Sequence, residues 1–233
     1  MAKIRLGLSD VALARPLTWA ARRGDLADAF EVTVVPQRRI AALLGERALD
    51  VGLVNSQEIL PNGLGPLPDL GVTLTEEGGV ATLHLALPER GGAVRLLTGA
   101  VCPGISTLAE TFLRRAALNG VTDAEVVEEG AADALVETRL DPVPSGLETP
   151  EGARELDLGV EWHRAFREEA VVYRWAARPT LDTQDAEFAL KGGLRDALRS
   201  LPAVSRELAA EKDLDADEVL SVFEQGLRFF RKP

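Results

Sequence analysis

Few residues in this chain can move a proton near neutral pH. There are two histidines and one cysteine, and an unperturbed imidazole is the side chain that titrates in that range. His84 lies in the run Val80–Leu87 (VATLHLAL), with Thr82 two positions before it. A strand points residues i and i+2 to the same face, so a hydroxyl and an imidazole stand side by side. Val80 and Ala86 share that face, while Ala81, Leu83, Leu85 and Leu87 form the apolar one. Two readings of His84 follow: a general acid or base, or a structural, hydrogen-bonded histidine. His163, between Trp162 and Arg164 on a charged segment, reads as a surface group. The adjacent acids Glu76-Glu77, Glu128-Glu129 and Glu168-Glu169 do not face each other on a helix or a strand, so they read as solvated.

Two further segments could hold a ligand. Asn55-Ser56-Gln57-Glu58 follows the strand Asp50–Val54 at its carboxyl end, where open α/β sheets bind their ligands. Ser56 and Glu58 equally suit the N-cap and first turn of a helix. Pro103-Gly104-Ile105-Ser106-Thr107 precedes a helical run, Leu108–Asn119. A hydroxyl there caps the helix, and the same helix end can receive a carboxylate through its N–H groups and dipole. Both readings stand for Gly104, Ser106 and Thr107.

What is absent narrows the chemistry. There is no Walker A sequence, no G-x-G-x-x-G after the first strand, no H-E-x-x-H and no G-x-S-x-G. One cysteine excludes an internal disulfide and a cysteine-cluster metal site, and with two histidines no transition-metal site is expected. A carboxylate-bound magnesium stays open but has no spacing to support it. The balance of 26 Lys+Arg against 37 Asp+Glu, net −11, argues against nucleic acid, which needs a basic face. The 233 residues, 46% hydrophobic, suffice for one large domain or two small lobes with a real core. No run approaches a membrane span, and the start shows no targeting segment, so a cytoplasmic protein without a membrane partner is expected.

The elements that must position these residues alternate. Lys3–Leu8, Phe30–Val35 and Leu49–Val54 read as strands, with helices beginning near Pro16 and over Gln37–Glu46. Val80–Leu87, ended by Pro88–Gly92, and Val94–Val101 read as strands. A helix follows over Ser106–Asn119, closed by Asn119-Gly120. Ala124–Val127, Ala134–Glu137 and Ala170–Ala176 read as strands and Leu158–Phe166 as a helix. Leu60–Asp69 and Leu140–Arg154 read as loops, the first with three prolines and two glycines in ten residues. Helices over Asp185–Ser200, Val204–Glu211 and Asp217–Phe230 complete the chain. The last of these superficially suggest a helix-turn-helix, but the acidic run Asp213–Glu218 suits packing, not DNA. The order predicts an α/β protein of two lobes.

Three stretches together resemble the chorismate dehydratases of the futalosine route to menaquinone. Asp50–Leu60 (DVGLVNSQEIL) is similar to the family's strand-then-site segment. Asp157-Leu158-Gly159-Val160-Glu161-Trp162 matches its D-L-G-x-E-W helix, and Trp175-Ala176-Ala177-Arg178 its W-A-A-R strand end. The resemblance covers most of the chain weakly and about 40 residues well. It implies an α/β, two-lobed periplasmic-binding-protein-like fold of type II with the ligand cleft between the lobes. Residues 1–82 and 176–233 would form one lobe and 83–175 the other. It also implies that chorismate loses water to give 3-(1-carboxyvinyloxy)benzoate, with no metal or organic cofactor, in a monomer or homodimer. A family serine falls on Thr82, and a Ser-Arg-Thr-Ser turn falls near Gly104–Thr107 without its arginine. An active-site asparagine of the family falls on Leu13, and leucine cannot hydrogen-bond a substrate. Because the substrate is a dicarboxylate, the starts of the helices at Ser106 and Ser56, with Asn55, Gly104, Thr107 and Arg15, are its expected anchors. Thr82 would bond the substrate. The base would be His84 or one of the substrate's own carboxylates. The alternatives are a relative that only binds or senses a small carboxylate, a solute-binding protein, and the related enzyme that releases dihydroxynaphthoate.

Overall fold

Three β-branched runs near the start pair in parallel, as their alternation with helices requires. They are β1 (Ile4–Leu8), β2 (Phe30–Val34) and β3 (Val51–Asn55), connected through α1 (Arg15–Arg22) and α2 (Gln37–Gly45). The computed structural model describes residues 3–86, 92–98, 102–127, 130–141 and 147–229. Further along the chain come β4 (Gly65–Leu74), β5 (Ala81–Leu85), β6 (Gly92–Leu97), α3 (Pro103–Ala116), β7 (Val121–Val127), β8 (Ala134–Thr138) and β9 (Arg154–Asp157). Then follow α4 (Leu158–Phe166), β10 (Ala170–Ala177), α5 (Gln184–Arg199), α6 (Leu201–Lys212), α7 (Ala216–Ser221) and β11 (Leu227–Arg228). The expected turn at Pro88–Gly92 lies outside the described residues except for Gly92. The end of the Val94–Val101 strand, the Glu128-Glu129 pair, the middle of the Leu140–Arg154 loop and Phe230 also lie outside them.

The chain divides into two units. The first comprises Met1–Thr73, Val171–Phe223 and Arg228–Pro233, and the second Leu74–Ala170 with Glu224–Leu227. The strand carrying Thr82 and His84 therefore belongs whole to the second unit.

In the first unit the sheet runs β11-β4-β10-β3-β1-β2, with β1 parallel to both neighbours and β10 antiparallel to β3. One face buries Ile40, Ala41 and Leu44 of α2 with Leu49, Val54, Ile59, Leu64 and Ala176. The stripe Ile40, Leu44 is the i, i+4 spacing that made α2 legible. Trp175 and Tyr173 on β10 are fully buried.

The second unit holds a sheet in the order β7-β6-β8-β5-β9, with β5 antiparallel to β8 and β9. Helices α3 and α4 lie on the same face of it. They meet through Phe112 and Phe166, whose rings stand edge to face at 6.0 Å, and through Arg115, which stacks over Phe166 and Trp162. Leu83, Leu85, Val94, Leu96 and Val136 are buried. Thr82 and His84 occupy the alternate positions of β5 and face away from that apolar side.

Two expectations fail here. Part of Leu60–Asp69 is not loop: β4 begins at Gly65 and runs through Pro66 and Pro68. Proline is tolerated at strand positions whose missing N–H has no ladder partner, and among the described residues β11 meets β4 near its other end, where Gly71 N donates to Phe229 O. The last helix does not continue to the terminus. It ends at Ser221, passes through a π-helical turn (Val222–Gly226) and becomes β11. A Cβ on Gly226 would lie 2.2 Å from Val80 Cγ2 and 3.0 Å from Gly78 O, so this turn needs glycine to lie against the strand segment.

The D-L-G-x-E-W segment is a helix start locked by its own side chains. Asp157 Oδ1 accepts from Val160 N at 3.0 Å, as an N-cap does, and its Oδ2 accepts from Gly79 N at 2.6 Å. Gly159 lies so close to the preceding chain that a Cβ would fall 2.6 Å from Thr75 O and 3.2 Å from Leu74 Cβ. Gly159→Ala is therefore expected to cost about 1–3 kcal/mol through overpacking. Chemical denaturation checks this, and an unchanged midpoint would show that α4 can shift freely.

Candidate functional site

Register decides what His84 meets. On β5, His84 stands opposite Leu135 of β8 and Glu155 of β9, and Thr82 opposite Glu137 and Asp157. The imidazole reaches diagonally to β8, its Nε2 lying 2.9 Å from Glu137 Oε1. Nδ1 lies 3.9 Å from Glu155 Oε1, is buried, and has no hydrogen-bond partner. The side chain is 8% exposed, against 40% for Glu137. Thr82 is half-buried beside it. The structure thus brings Thr82 and His84 together on one face and adds Glu137, which the sequence reading did not single out. Only an antiparallel β5–β8 register in which Thr82 meets Glu137 could have revealed it. His163 is half-exposed and pairs with Glu76 at 3.0 Å, as a surface group does.

The start of α3 differs from expectation. The helix begins at Pro103, with Cys102 in the N-cap position and no side-chain cap. Ser106 and Thr107 therefore lie inside the helix and do not cap it. Ile105 N and Ser106 N both donate to Cys102 O, and Thr107 Oγ1 donates to Pro103 O at 2.9 Å. Gly104 is buried, and Ser106 and Thr107 are half-buried. The helix also ends earlier than expected, at Ala116, where Ala117 takes a left-handed conformation.

In the first unit β1 is flanked by β2 on one side and β3 on the other, so the chain reverses its winding there. The carboxyl ends of β1 and β3 are the crevice where such sheets bind ligands. Buried polar groups do gather there. Ser9 Oγ donates to Gln37 Oε1, and Gln37 Nε2 donates to Leu53 O at 2.9 Å. Asn55, not Ser56, caps the short turn Ser56–Glu58, accepting from Gln57 N at 3.1 Å. The Ser56 hydroxyl donates to Val171 O and so fastens this turn to β10. Burial pushes the half-buried Glu58 carboxyl up from its ordinary range, against the Asn55 backbone N–H that lowers it.

Arg15 is 6% exposed and bound by two carboxylates, Glu211 at 2.7 Å and Asp10 at 3.3 Å, while its buried Nε has no partner. Arg22 joins the same network through Asp10 at 3.1 Å and donates to Ser9 O at 2.8 Å. Burial lowers the Arg22 pKa, and the nearby Arg15 charge adds to this. Two guanidiniums and two carboxylates largely cancel, so Arg15 is a stapling group and not an open anchor for a substrate carboxylate.

Leu13 lies in the short turn Ala12–Ala14 and is 0% exposed. It is a packing residue in the middle of an apolar segment. Leu13→Asn would bury an amide at a fully enclosed position, with a loss of about 2–4 kcal/mol expected. A thermal melt checks this. An unchanged melting temperature would mean that the amide finds partners at this position.

The segments behind the family resemblance turn out to be structural. Arg178 of the W-A-A-R end donates through Nε to Asp50 Oδ1 at 2.7 Å, and Arg5 grips the same carboxylate through its backbone N and side chain. These bonds, chiefly the side-chain pair with Arg5, hold the Asp50 carboxyl far below its usual range. Trp162 of the D-L-G-x-E-W helix packs edge to face on Phe166 at 4.9 Å. Among the described residues, no group of three or more His, Cys, Asp or Glu is placed to hold a metal ion. None of their helices is long and apolar enough to cross a membrane.

Comparison with known proteins agrees with this reading of the architecture. No protein-family model matches the chain, and no curated protein matches it in sequence. Solved structures do match over nearly its whole length. Protein AF1704 from Archaeoglobus fulgidus is similar at a TM-score of 0.68 and 15% identity, covering 97% of this chain and 88% of that one. The periplasmic aliphatic sulphonate binding protein SsuA from Escherichia coli gives 0.59 and 13%, covering 99% and 81%. The Candida albicans CA3427 gene product, described as exhibiting the generic periplasmic binding protein structural fold, gives 0.58 and 11%, covering 98% and 82%. The chain has the periplasmic-binding-protein-like α/β fold.

Proposed function

We propose that this protein binds a small dicarboxylate and dehydrates it, with chorismate as substrate and 3-(1-carboxyvinyloxy)benzoate as product. The observation that carries the proposal is the Thr82–His84 pair on one face of β5, with the imidazole held at 2.9 Å by Glu137. The motif resemblance supports the substrate class, and the fold is shared with SsuA, an aliphatic sulphonate binding protein.

The elimination asks little of the protein. A base takes the ring proton from the ether-bearing carbon, and its electron pair enters the ring. The neighbouring C–O bond then breaks, and the hydroxyl leaves as water by taking up a proton. The new aromatic ring supplies the driving force, so positioning and one proton-transfer group suffice. His84 is the base, and its imidazolium returns the proton to the departing hydroxyl. Thr82 bonds the substrate. Of the α3 residues, the Thr107 hydroxyl and the Ser106 N–H are engaged with Pro103 O and Cys102 O, so the start of α3 at Gly104 offers a carboxylate its dipole and not these groups. Asn55, Ser56 and Arg15 are left out of direct substrate contact. The Asn55 carbonyl, the Ser56 hydroxyl and the Arg15 NH1 and NH2 groups are engaged within the first unit.

A second reading is favoured by the full burial of Leu13. A family asparagine replaced by a packing residue suits a relative that binds its carboxylate without turning it over. One experiment separates the two. Purified protein is incubated with chorismate, the product is followed by mass spectrometry, and thermal melts are run in parallel. Loss of one water beyond the protein-free rate is the expected result. A raised melting temperature with intact chorismate would replace the first reading by the second. Neither effect would remove chorismate as the ligand.

A further inference from the structure

The two ring nitrogens of His84 meet different surroundings. A carboxylate can only accept, so the 2.9 Å contact with Glu137 places the ring proton of a neutral His84 on Nε2. Nδ1 then carries the lone pair. That atom is buried and unpartnered in a side chain only 8% exposed, which is costly for an acceptor until a donor arrives. Among the described residues, strand register sets Thr82 on its own strand, Leu135 and Glu137 on β8, and Glu155 and Asp157 on β9 around the ring. Asp157 is occupied with Gly79 N and Val160 N. Glu155, 77% exposed, lies 3.9 Å from Nδ1, close enough to stabilise a proton there but too far to hydrogen-bond the neutral ring.

We infer that Glu137 is a positioning residue that holds His84 as its Nε2–H tautomer and leaves Nδ1 as the proton-exchanging atom. The inference deepens the proposed function and rests on it for the identity of the reaction, though not for the tautomer. In the elimination, Nδ1, which the fold closes off, has to be uncovered to take the ring proton, and the imidazolium is stabilised by Glu137 on one side and Glu155 on the other. The same Nδ1–H is then returned to the leaving hydroxyl, so no other acid or base is consumed.

Nitrogen NMR tests the tautomer without any substrate. With two histidines in the chain, labelling and a His163→Gln control assign the His84 ring. The expected spectrum of the neutral ring shows Nε2 protonated and Nδ1 pyridine-like. Glu137→Gln should mix the tautomers, since an amide can donate as well as accept, and Glu137→Asp should restore the Nε2–H form. Glu155→Gln should leave the tautomer unchanged. Turnover of chorismate by Glu137→Gln should fall about 100-fold, with partial recovery in Glu137→Asp. A neutral His84 protonated at Nδ1, or a tautomer indifferent to Glu137→Gln, overturns the inference even if chorismate is dehydrated. The expected tautomer without any dehydration upholds the pairing and removes the reaction proposed for it.

Discussion

Replacing Asp50 by asparagine is expected to lower stability by about 2–3 kcal/mol at neutral pH, or about 5–10 °C in melting temperature. The carboxylate is 10% exposed and is the shared partner of Arg5 and Arg178, which join the start of β1 and the end of β10 to the chain entering β3. An amide keeps one acceptor but no charge, and the two guanidiniums are left facing each other without a counter-ion. The discount from a fully buried pair reflects the exposure of the arginines, 41% and 24%. The effect carries a pH signature. A carboxyl whose folded pKa is depressed contributes its full stabilisation above the unfolded value, about 3.9, and loses it as pH falls toward the folded one. The wild-type protein should therefore lose stability below about pH 4 in a way that Asp50→Asn does not. Urea unfolding of both proteins at neutral pH and near pH ~3 measures this. A gap that stays constant with pH would mean that the carboxylate's charge is not what the site uses.

His84→Gln is expected to reduce chorismate turnover by about 100-fold or more while shifting the melting temperature by a few degrees at most. Glutamine can still bond Glu137, so the cross-strand contact survives, but it has no basic lone pair near neutral pH. The affinity for chorismate, read from its thermal stabilisation, should change little because the imidazole acts on the ring proton and not on the carboxylates. Parallel losses of turnover and stability would make His84 a packing residue. Unchanged turnover would pass the role of base to a carboxylate of the substrate itself.

How much of this was legible follows from which interactions are local. The strands and helices with clear periodicity, β1, β2, β3, α2, α4 and α5, were visible because burial repeats at the spacing of the element. The side-by-side placement of Thr82 and His84 was visible for the same reason. The strand β4 was not, since Pro66 and Pro68 read locally as loop residues and their place in a strand is set by the sheet around them. The π-helical turn into β11 was also hidden, because the need for glycine at Gly226 shows only once Val80 is seen against it.

The sequence by itself determined an α/β chain, the absence of nucleotide-loop and zinc motifs, and the stretches Asp50–Leu60, Asp157–Trp162 and Trp175–Arg178. Those stretches read as family signatures, and the structure shows that Asp50 and Arg178 fasten strands and that Asp157 and Gly159 start a helix. Tertiary structure alone decided the rest. It placed Glu137 against His84, set Arg15 between Asp10 and Glu211, and sealed Leu13 in the core. Apart from the Arg15–Asp10 contact, these depend on strand register or on packing of elements far apart in the chain. Such long-range contacts are set by the summed burial of whole elements, and no local pattern encodes them.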